Sequence, residues 1–166
     1  MYYIGIDPSL TATGFIVLDE KGNLQKKKII KSKLKGVERL IELEEELCDS
    51  LHIYRGKIDG VCMESYSFGS RLGQAFSIGE LGGIFKRCLT KFPVKYKLIP
   101  PTRLKKFVTG KGNIKKELIL KEVYKKWGVD LDDNNLADAF GLARIAWSYK
   151  YRSKLREYEK EIIEQI

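Results

Sequence analysis

The distribution of apolar residues along the chain predicts a succession of strands. Apolar runs on both sides of the turn after Asp7 predict a hairpin of two β-strands that ends near Leu18. Three further short runs predict strands over 24–32, 58–63 and 94–99. Together these runs predict a sheet of five strands.

Apolar residues recur at helical spacing between and after these strands. Helices are therefore predicted over 36–53, 72–89, 102–108, 114–127, 134–149 and 152–166. Strands that alternate with crossover helices are typical of an α/β protein whose sheet is covered on its faces. The length suits one domain over 1–166, with a C-terminal helical extension from about residue 151.

The helix predicted over 72–89 is rich in small residues, among them Gly73, Ala75, Gly79 and Gly83. Glycine inside a helix costs about 1 kcal/mol relative to alanine. The sequence therefore indicates that this helix approaches another backbone closely. The neighbour is either a second helix, such as its copy in a dimer, or the sheet of the same chain.

Positive charge is concentrated in one part of the chain. The formal net charge is +9, and residues 95–126, called the basic segment below, hold eleven Lys and Arg against two Glu. This segment alone accounts for the whole excess, which favours a polyanionic partner, most simply the phosphates of a nucleic acid. The alternative is a solvated lysine-rich face that keeps the protein soluble.

Composition excludes a disordered protein and a protein that spans a membrane. The chain is 43% hydrophobic and 32% charged, which is typical of a globular domain, and no apolar run reaches the length of a bilayer helix. It begins in strand-like sequence without the features of a signal peptide, so a cytoplasmic location is expected. Because Cys48, Cys62 and Cys88 are odd in number and widely spaced, we expect free thiols rather than a disulfide or a zinc site.

Two predicted strands end in a carboxylate. Asp7 ends the first strand, and Glu64 follows the strand over 58–63. A buried carboxylate without a partner is costly, so each of these groups either faces solvent or has a positive charge beside it. The alternative for Asp7 is an aspartate that begins a turn before Pro8, and the alternative for Glu64 is a residue at a strand end on the surface.

A third acidic group opens the helix predicted over 134–149. Asp133 suits the N-cap position of this helix. Asp138 lies about one turn further on, in an apolar stretch, and Asn135 shares its face. Asp138 therefore either pairs with a basic residue on another element or joins the two carboxylates at the strand ends.

The second possibility describes a metal centre. Carboxylates that meet repel each other, and a divalent cation between them removes that repulsion. Oxygen donors suit Mg²⁺ or Mn²⁺ rather than zinc. Carboxylates that hold two Mg²⁺ ions are an established means of phosphodiester hydrolysis. In combination with the basic segment, this pattern predicts a nuclease.

Five stretches resemble the RuvC-like Holliday junction resolvases. They are IGIDPS at 4–9 with a Thr-Gly pair shortly after it, VCME at 61–64, LGQA at 72–75, VTGKGNIKKE at 108–117 and LADAFGLA at 136–143. Each motif is short, but their order and spacing together are fairly specific. The similarity runs from about residue 2 to residue 147.

The resemblance implies an RNase H-like fold, in which helices flank a mixed sheet. It also implies a homodimer that nicks four-way DNA junctions and uses two Mg²⁺ or Mn²⁺ ions. It implies that Asp7, Glu64 and Asp138 are catalytic and hold these ions, with Asn135 as a weaker ligand. Residues expected to contact the DNA are Phe68, Arg71, Lys105, Lys106, Lys111 and Lys116. Each lysine is equally compatible with a solubilising role.

The chain departs from the family pattern at two places. Bacterial members commonly carry a carboxylate or histidine where this chain has Asn135, and Asp132 or Asp133 is the candidate to compensate. The family often places an aromatic wedge after the second acid, and here both Tyr66 and Phe68 lie near that place. Divergence and short length suggest a phage-type member, acting in the host cytoplasm and on a wider range of branched DNA.

Other functions stay open at this level. One is an RNase H-like nuclease that acts on RNA or flap DNA. Another is a protein that binds junctions but cleaves them weakly or not at all, because of Asn135. A third, a sugar kinase or actin-like ATPase, needs a second lobe for which this chain is too short.

Overall fold

A mixed five-stranded sheet forms the centre of the fold. The computed structural model describes residues 1–65, 72–112 and 117–166. The strands are β1 (Tyr2–Asp7), β2 (Thr13–Leu18), β3 (Leu24–Ile30), β4 (Ile58–Glu64) and β5 (Tyr96–Ile99). They lie in the order β3-β2-β1-β4-β5, antiparallel from β3 to β1 and parallel from β1 to β5. The predicted α/β class is confirmed.

The helices occupy the stretches that the apolar spacing predicts. They are α1 (Gly36–His52), α2 (Leu72–Thr90), α3 (Pro101–Thr109), α4 (Glu117–Trp127), α5 (Asn134–Ser148) and α6 (Glu157–Glu164). The prediction of one continuous helix over 152–166 is wrong. A 3₁₀ turn at Arg152–Lys154 comes first, and Leu155 then takes an extended conformation and packs into the core, which separates the turn from α6. None of the helices within the described ranges is long and apolar enough to cross a membrane.

Side chains that alternate along β1 divide the core into two layers. Ile4 and Ile6 pack on one face of the sheet with apolar residues of α1 and α2. Tyr3 belongs to the other face, where it packs with residues of α5. Gly5 and Asp7 share this second face because side-chain direction repeats every two residues in a strand.

Two glycines let α5 lie directly on the sheet. A Cβ atom added at Gly5 would stand 1.9 Å from the Ala139 carbonyl oxygen and 2.4 Å from the Ala143 nitrogen. One added at Gly14 would stand 2.1 Å from the carbonyl oxygen of Asn135. Both distances to oxygen are far shorter than van der Waals contact. Side chains at these positions would therefore push α5 away from β1 and β2.

The expectation of three free thiols is wrong for two of the cysteines. Cys48 on α1 and Cys88 on α2 form a disulfide, with their Cα atoms 5.9 Å apart. The two helices lie side by side on one face of the sheet, which brings together residues 40 positions apart. Cys62 is a free, buried thiol as expected, and burial raises its pKa.

The small residues of α2 do not all serve packing within the chain. A Cβ atom added at Gly79 or Gly83 would meet no atom within 4 Å. Phe76, one turn earlier, is 75% exposed. In the described part of the chain, nothing therefore requires glycine at these two positions, and this face of α2 is open.

Candidate active site

The ends of β1 and β4 place two of the predicted acids side by side. The two strands are parallel, and their pairing reaches Ile6 opposite Met63. Asp7 and Glu64 come next, at the same edge of the sheet and on the face that α5 covers. Asp7 is 4% exposed, which excludes an aspartate that faces solvent in a turn.

α5 brings Asn135 and Asp138 to the same edge. Asp7 pairs with Gly14 across β1 and β2, and Gly14 is the point where the Asn135 backbone rests on the sheet. Asp138 follows three residues later on the same face of α5 and is 5% exposed. It therefore lies on the same side of the sheet as Asp7 and Glu64.

A cavity of about 440 Å³ opens at this edge. Asp7, Glu64 and Asn135 line it, together with the loop over 8–11, Arg39 of α1 and Ile78 of α2. The cavity thus combines two carboxylates, one amide and one guanidinium. Three of the four residues assigned as metal ligands by resemblance meet in it.

Asp138 does not line this cavity. In the described part of the chain, no three His, Cys, Asp or Glu side chains stand close enough together to hold a metal ion. Carboxylates repel each other, so a tighter arrangement needs a cation among them. The oxygen donors at this edge are nevertheless those that Mg²⁺ and Mn²⁺ prefer, and in chemical type they fit such an ion.

Hydrogen bonds hold the loop that follows Asp7. Thr13 Oγ1 accepts a hydrogen bond from the Ser9 N–H at 3.0 Å and donates one to the Ser9 carbonyl oxygen at 2.8 Å. Ser9 Oγ in turn accepts from the N–H groups of Thr11 and Ala12, each at 3.3 Å. Because Thr13 is fully buried, these bonds fix the wall of the cavity next to Asp7.

The two acids that were candidates to compensate for Asn135 serve other purposes. Asp133 is the N-cap of α5, as predicted, and its Oδ1 accepts from the N–H groups of Asn135 at 2.7 Å and Leu136 at 3.4 Å. Asp132 lies 3.6 Å from Lys27 on β3, and its side chain is 84% exposed. Neither residue lines the cavity. Asn135 therefore stands in the cavity without a replacement carboxylate from the start of α5.

The described lysines that were predicted to bind DNA lie on or after α3. That helix begins near the same edge of the sheet, because β5 ends with Ile99 opposite Glu64. Lys105 and Lys106 are half-buried on α3, and Lys111 is exposed in the loop after it. Outside the described residues lie the remaining predicted contacts, Phe68, Arg71 and Lys116, together with Tyr66.

Arg39 is the cavity residue that sequence reasoning missed. It lies near the start of α1, and its Nε donates a hydrogen bond to the Leu34 carbonyl oxygen at 2.6 Å. In the sequence it is one polar position among the many that separate the apolar positions of this helix. No local signal distinguishes it, since only the approach of α1 to the edge of the sheet places it opposite the acids.

Comparison with known proteins agrees with this geometry. The sequence profile of the family described as "Crossover junction endodeoxyribonuclease RuvC" matches residues 3–145. Because this match covers most of the chain, the chain belongs to the RuvC family of crossover junction endodeoxyribonucleases. The resemblance stated from the motifs is thereby confirmed.

Individual relatives and one solved structure extend this result. The crossover junction endodeoxyribonuclease RuvC of Caldicellulosiruptor saccharolyticus is 28% identical over 151 residues, which cover 86% of this chain and 90% of the relative. That of Petrotoga mobilis is 31% identical over 121 residues, or 70% and 73% of the two chains. The structure of Thermus thermophilus RuvC in complex with Holliday junction substrate aligns with a TM-score of 0.76 at 23% identity, covering 93% of this chain and 95% of that one. This last likeness establishes the RNase H-like fold implied by the resemblance.

Proposed function

We propose that this RuvC-family endonuclease nicks four-way DNA junctions and other branched DNA by Mg²⁺-dependent hydrolysis of a phosphodiester bond. The observation that carries the proposal is the meeting of Asp7, Glu64 and Asn135 in one cavity. Asp138 lies buried one turn from Asn135 on the helix that covers this edge. The basic segment reaches the same edge through β5 and α3.

Each of these residues has a role that follows from its chemistry. Asp7, Glu64 and Asp138 would hold Mg²⁺ through carboxylate oxygens, and Asn135 would contribute a neutral amide oxygen that binds more weakly. Two Mg²⁺ ions bound there would supply an activated water and stabilise the leaving oxygen. Glu64, which lines the cavity, would bridge a bound ion and the attacking water.

The cations around the cavity bind the DNA backbone. The guanidinium of Arg39 on the cavity wall suits the phosphate of the strand that is cut, because a guanidinium forms strong paired hydrogen bonds with phosphate oxygens. Lys105 and Lys106 on α3, and Lys111 after it, neutralise phosphates further along the junction arms. Phe68, Arg71 and Lys116 retain the DNA-binding roles that the family resemblance implies.

A homodimer provides the two cuts that resolve a junction. The open face of α2, with Phe76 exposed and room around Gly79 and Gly83, supports pairing of this helix with its copy in a second subunit. Glycines allow two helices to approach closely. A symmetric dimer then presents one cavity to each of two opposite strands.

The test is a nicking assay on a synthetic four-way junction, in Mg²⁺ and in EDTA, with junction binding measured in parallel. We expect Asp7→Asn, Glu64→Gln and Asp138→Asn to bind the junction but to lose nicking by about a hundredfold or more. The matched control is Asp132→Asn, which removes an exposed carboxylate near α5 that is outside the cavity. Nicking that survives in both Asp7→Asn and Glu64→Gln would refute the metal assignment.

Asn135 favours a second candidate function, a junction-binding protein with weak cleavage. The family resemblance implies a carboxylate or histidine at this position, and neither Asp132, which pairs with Lys27, nor Asp133, which caps α5, takes its place. Asn135→Asp adds that charge and decides between the two functions. If the variant nicks junctions much faster than the unaltered protein at low Mg²⁺, the unaltered protein is a junction-binding protein with weak cleavage. If the unaltered protein already nicks efficiently and the variant nicks at the same rate, the unaltered protein is an active nuclease.

A further inference from the structure

A second cavity, of about 210 Å³, lies between α4, α5 and the segment that follows α5. Its charged lining is mainly cationic: Lys126, Arg144, Lys154 and Arg156 surround it, and Glu159 is its one acid. It shares no lining residue with the cavity of Asp7 and Glu64. The two cavities are therefore separate sites.

The charges around this second cavity do not cancel. Lys126 and Glu159 form an ion pair at 3.4 Å, and both side chains are 8% exposed. The other oxygen of Glu159 accepts a hydrogen bond from the backbone N–H of Arg156 at 2.9 Å. Among the described residues, no carboxylate forms an ion pair with Arg144, Lys154 or the Arg156 guanidinium. Three positive charges thus surround the cavity beyond the Lys126–Glu159 pair.

Arg144 is the deepest of these three charges. Burial lowers its pKa to about 10, although Glu159 opposes that shift, so it stays protonated at neutral pH. Its guanidinium lies 4.3 Å from the ring centre of Trp147 and 5.3 Å from that of Trp127, and Nη1 donates to the Gly22 carbonyl oxygen at 3.3 Å. Its Nε is buried and, within the described structure, has no hydrogen-bond acceptor.

Cations that face one cavity repel each other, and an anion with several acceptor oxygens removes that repulsion. Arg144 contributes its charge from the lining of the cavity, and Lys154 and Arg156, which are exposed, can donate hydrogen bonds to such an anion. The volume is ample for a tetrahedral oxyanion, since one water takes up about 30 Å³ in the liquid.

We propose that this cavity is a binding site for an oxyanion of the phosphate class. Lys154, Arg156 and Glu159 lie beyond residue 145, where the match to the RuvC family ends. Lys126 and Arg144 lie within the matched residues, and none of the lining residues belongs to the cavity of Asp7 and Glu64. Its ligand is either free phosphate, alone or on a small molecule, or a backbone phosphate of bound DNA.

Inorganic phosphate is the probe for the first measurement, by calorimetry and by thermal unfolding at constant ionic strength, with chloride as the matched salt. The test variant is Lys154→Gln/Arg156→Gln, which changes two exposed side chains and leaves the backbone N–H of residue 156 in place. The control is Lys31→Gln/Lys33→Gln, which removes two exposed charges between β3 and α1.

We expect phosphate to bind and to raise the melting temperature of the unaltered protein and of the control. Affinity should fall about tenfold or more in the test variant, because hydrogen bonds between charged groups are strong. Two results would overturn the proposal: no effect of phosphate beyond that of chloride, or equal phosphate affinity in the test variant and the control.

Junction binding then identifies the source of the phosphate. If the cavity holds a DNA phosphate, the test variant binds the junction more weakly with a shallower salt dependence, and free phosphate competes with DNA. If it holds free phosphate, the variant binds the junction as the control does. Each result supports the site and assigns its ligand.

Discussion

Replacing Gly14 by alanine would test whether the position of α5 on the sheet creates the active site. The added Cβ atom would stand 2.1 Å from the carbonyl oxygen of Asn135, 2.6 Å from its carbonyl carbon and 3.1 Å from Ala139 Cβ. Ordinary van der Waals contact begins near 3.4 Å. Since two of these atoms belong to the backbone, no side-chain rotation relieves the overlap, and α5 has to move.

Overpacking of a well-packed core costs about 1–3 kcal/mol, and a clash with backbone belongs at the upper end of that range. A loss of about 3 kcal/mol lowers the folding equilibrium constant more than a hundredfold, in a protein whose total stability is about 5–15 kcal/mol. The displacement starts at Asn135, so it also moves Asp138 away from Asp7 and Glu64. We therefore expect nicking to fall more than the unfolded fraction explains.

Gly60→Ala is the matched control. It too adds a Cβ atom on a strand beneath α5, but the nearest atoms there are the Ala146 carbonyl oxygen at 3.5 Å and a Tyr3 ring carbon at 3.6 Å, which is ordinary contact. Urea unfolding gives the stability, and junction nicking under folded conditions gives the activity. If Gly14→Ala equals Gly60→Ala in both measurements, the account of α5 as the element that positions the site is wrong.

Two further predictions concern the loop after Asp7 and the link between α1 and α2. Thr13→Val removes both hydrogen bonds to Ser9 and should cost about 1–2 kcal/mol in urea unfolding and lower nicking, whereas Thr13→Ser should retain both; equal behaviour of the two variants would contradict a positioning role for this hydroxyl. The Cys48–Cys88 disulfide closes a loop of 40 residues, so its reduction should lower the free energy of unfolding by up to about 4 kcal/mol in the chain-entropy account. The Cys48→Ser/Cys88→Ser variant should be insensitive to reductant; an unaltered protein that is equally insensitive would show that the disulfide does not stabilise it.

Local patterns in the sequence were sufficient to predict most of the elements and the acids at their ends. Strand and helix periodicity depends on neighbouring residues, and so the apolar spacing placed all five described strands and α1 to α5 within a few residues. The N-cap role of Asp133 was likewise predictable, because capping involves only the first turn of the same helix. The break before α6 was not predictable, since it depends on the burial of Leu155 against distant residues.

By itself, the sequence determined the fold class, the family and the acids at the ends of β1 and β4, because each depends on residues that are close together in the chain. Only the tertiary structure decided which side chains share a space. It placed Arg39 in the cavity with the acids, joined Cys48 to Cys88, and enclosed Arg144 under the C-terminal segment. These contacts join residues that are far apart in the chain, and they exist only because particular helices pack against the sheet and against each other.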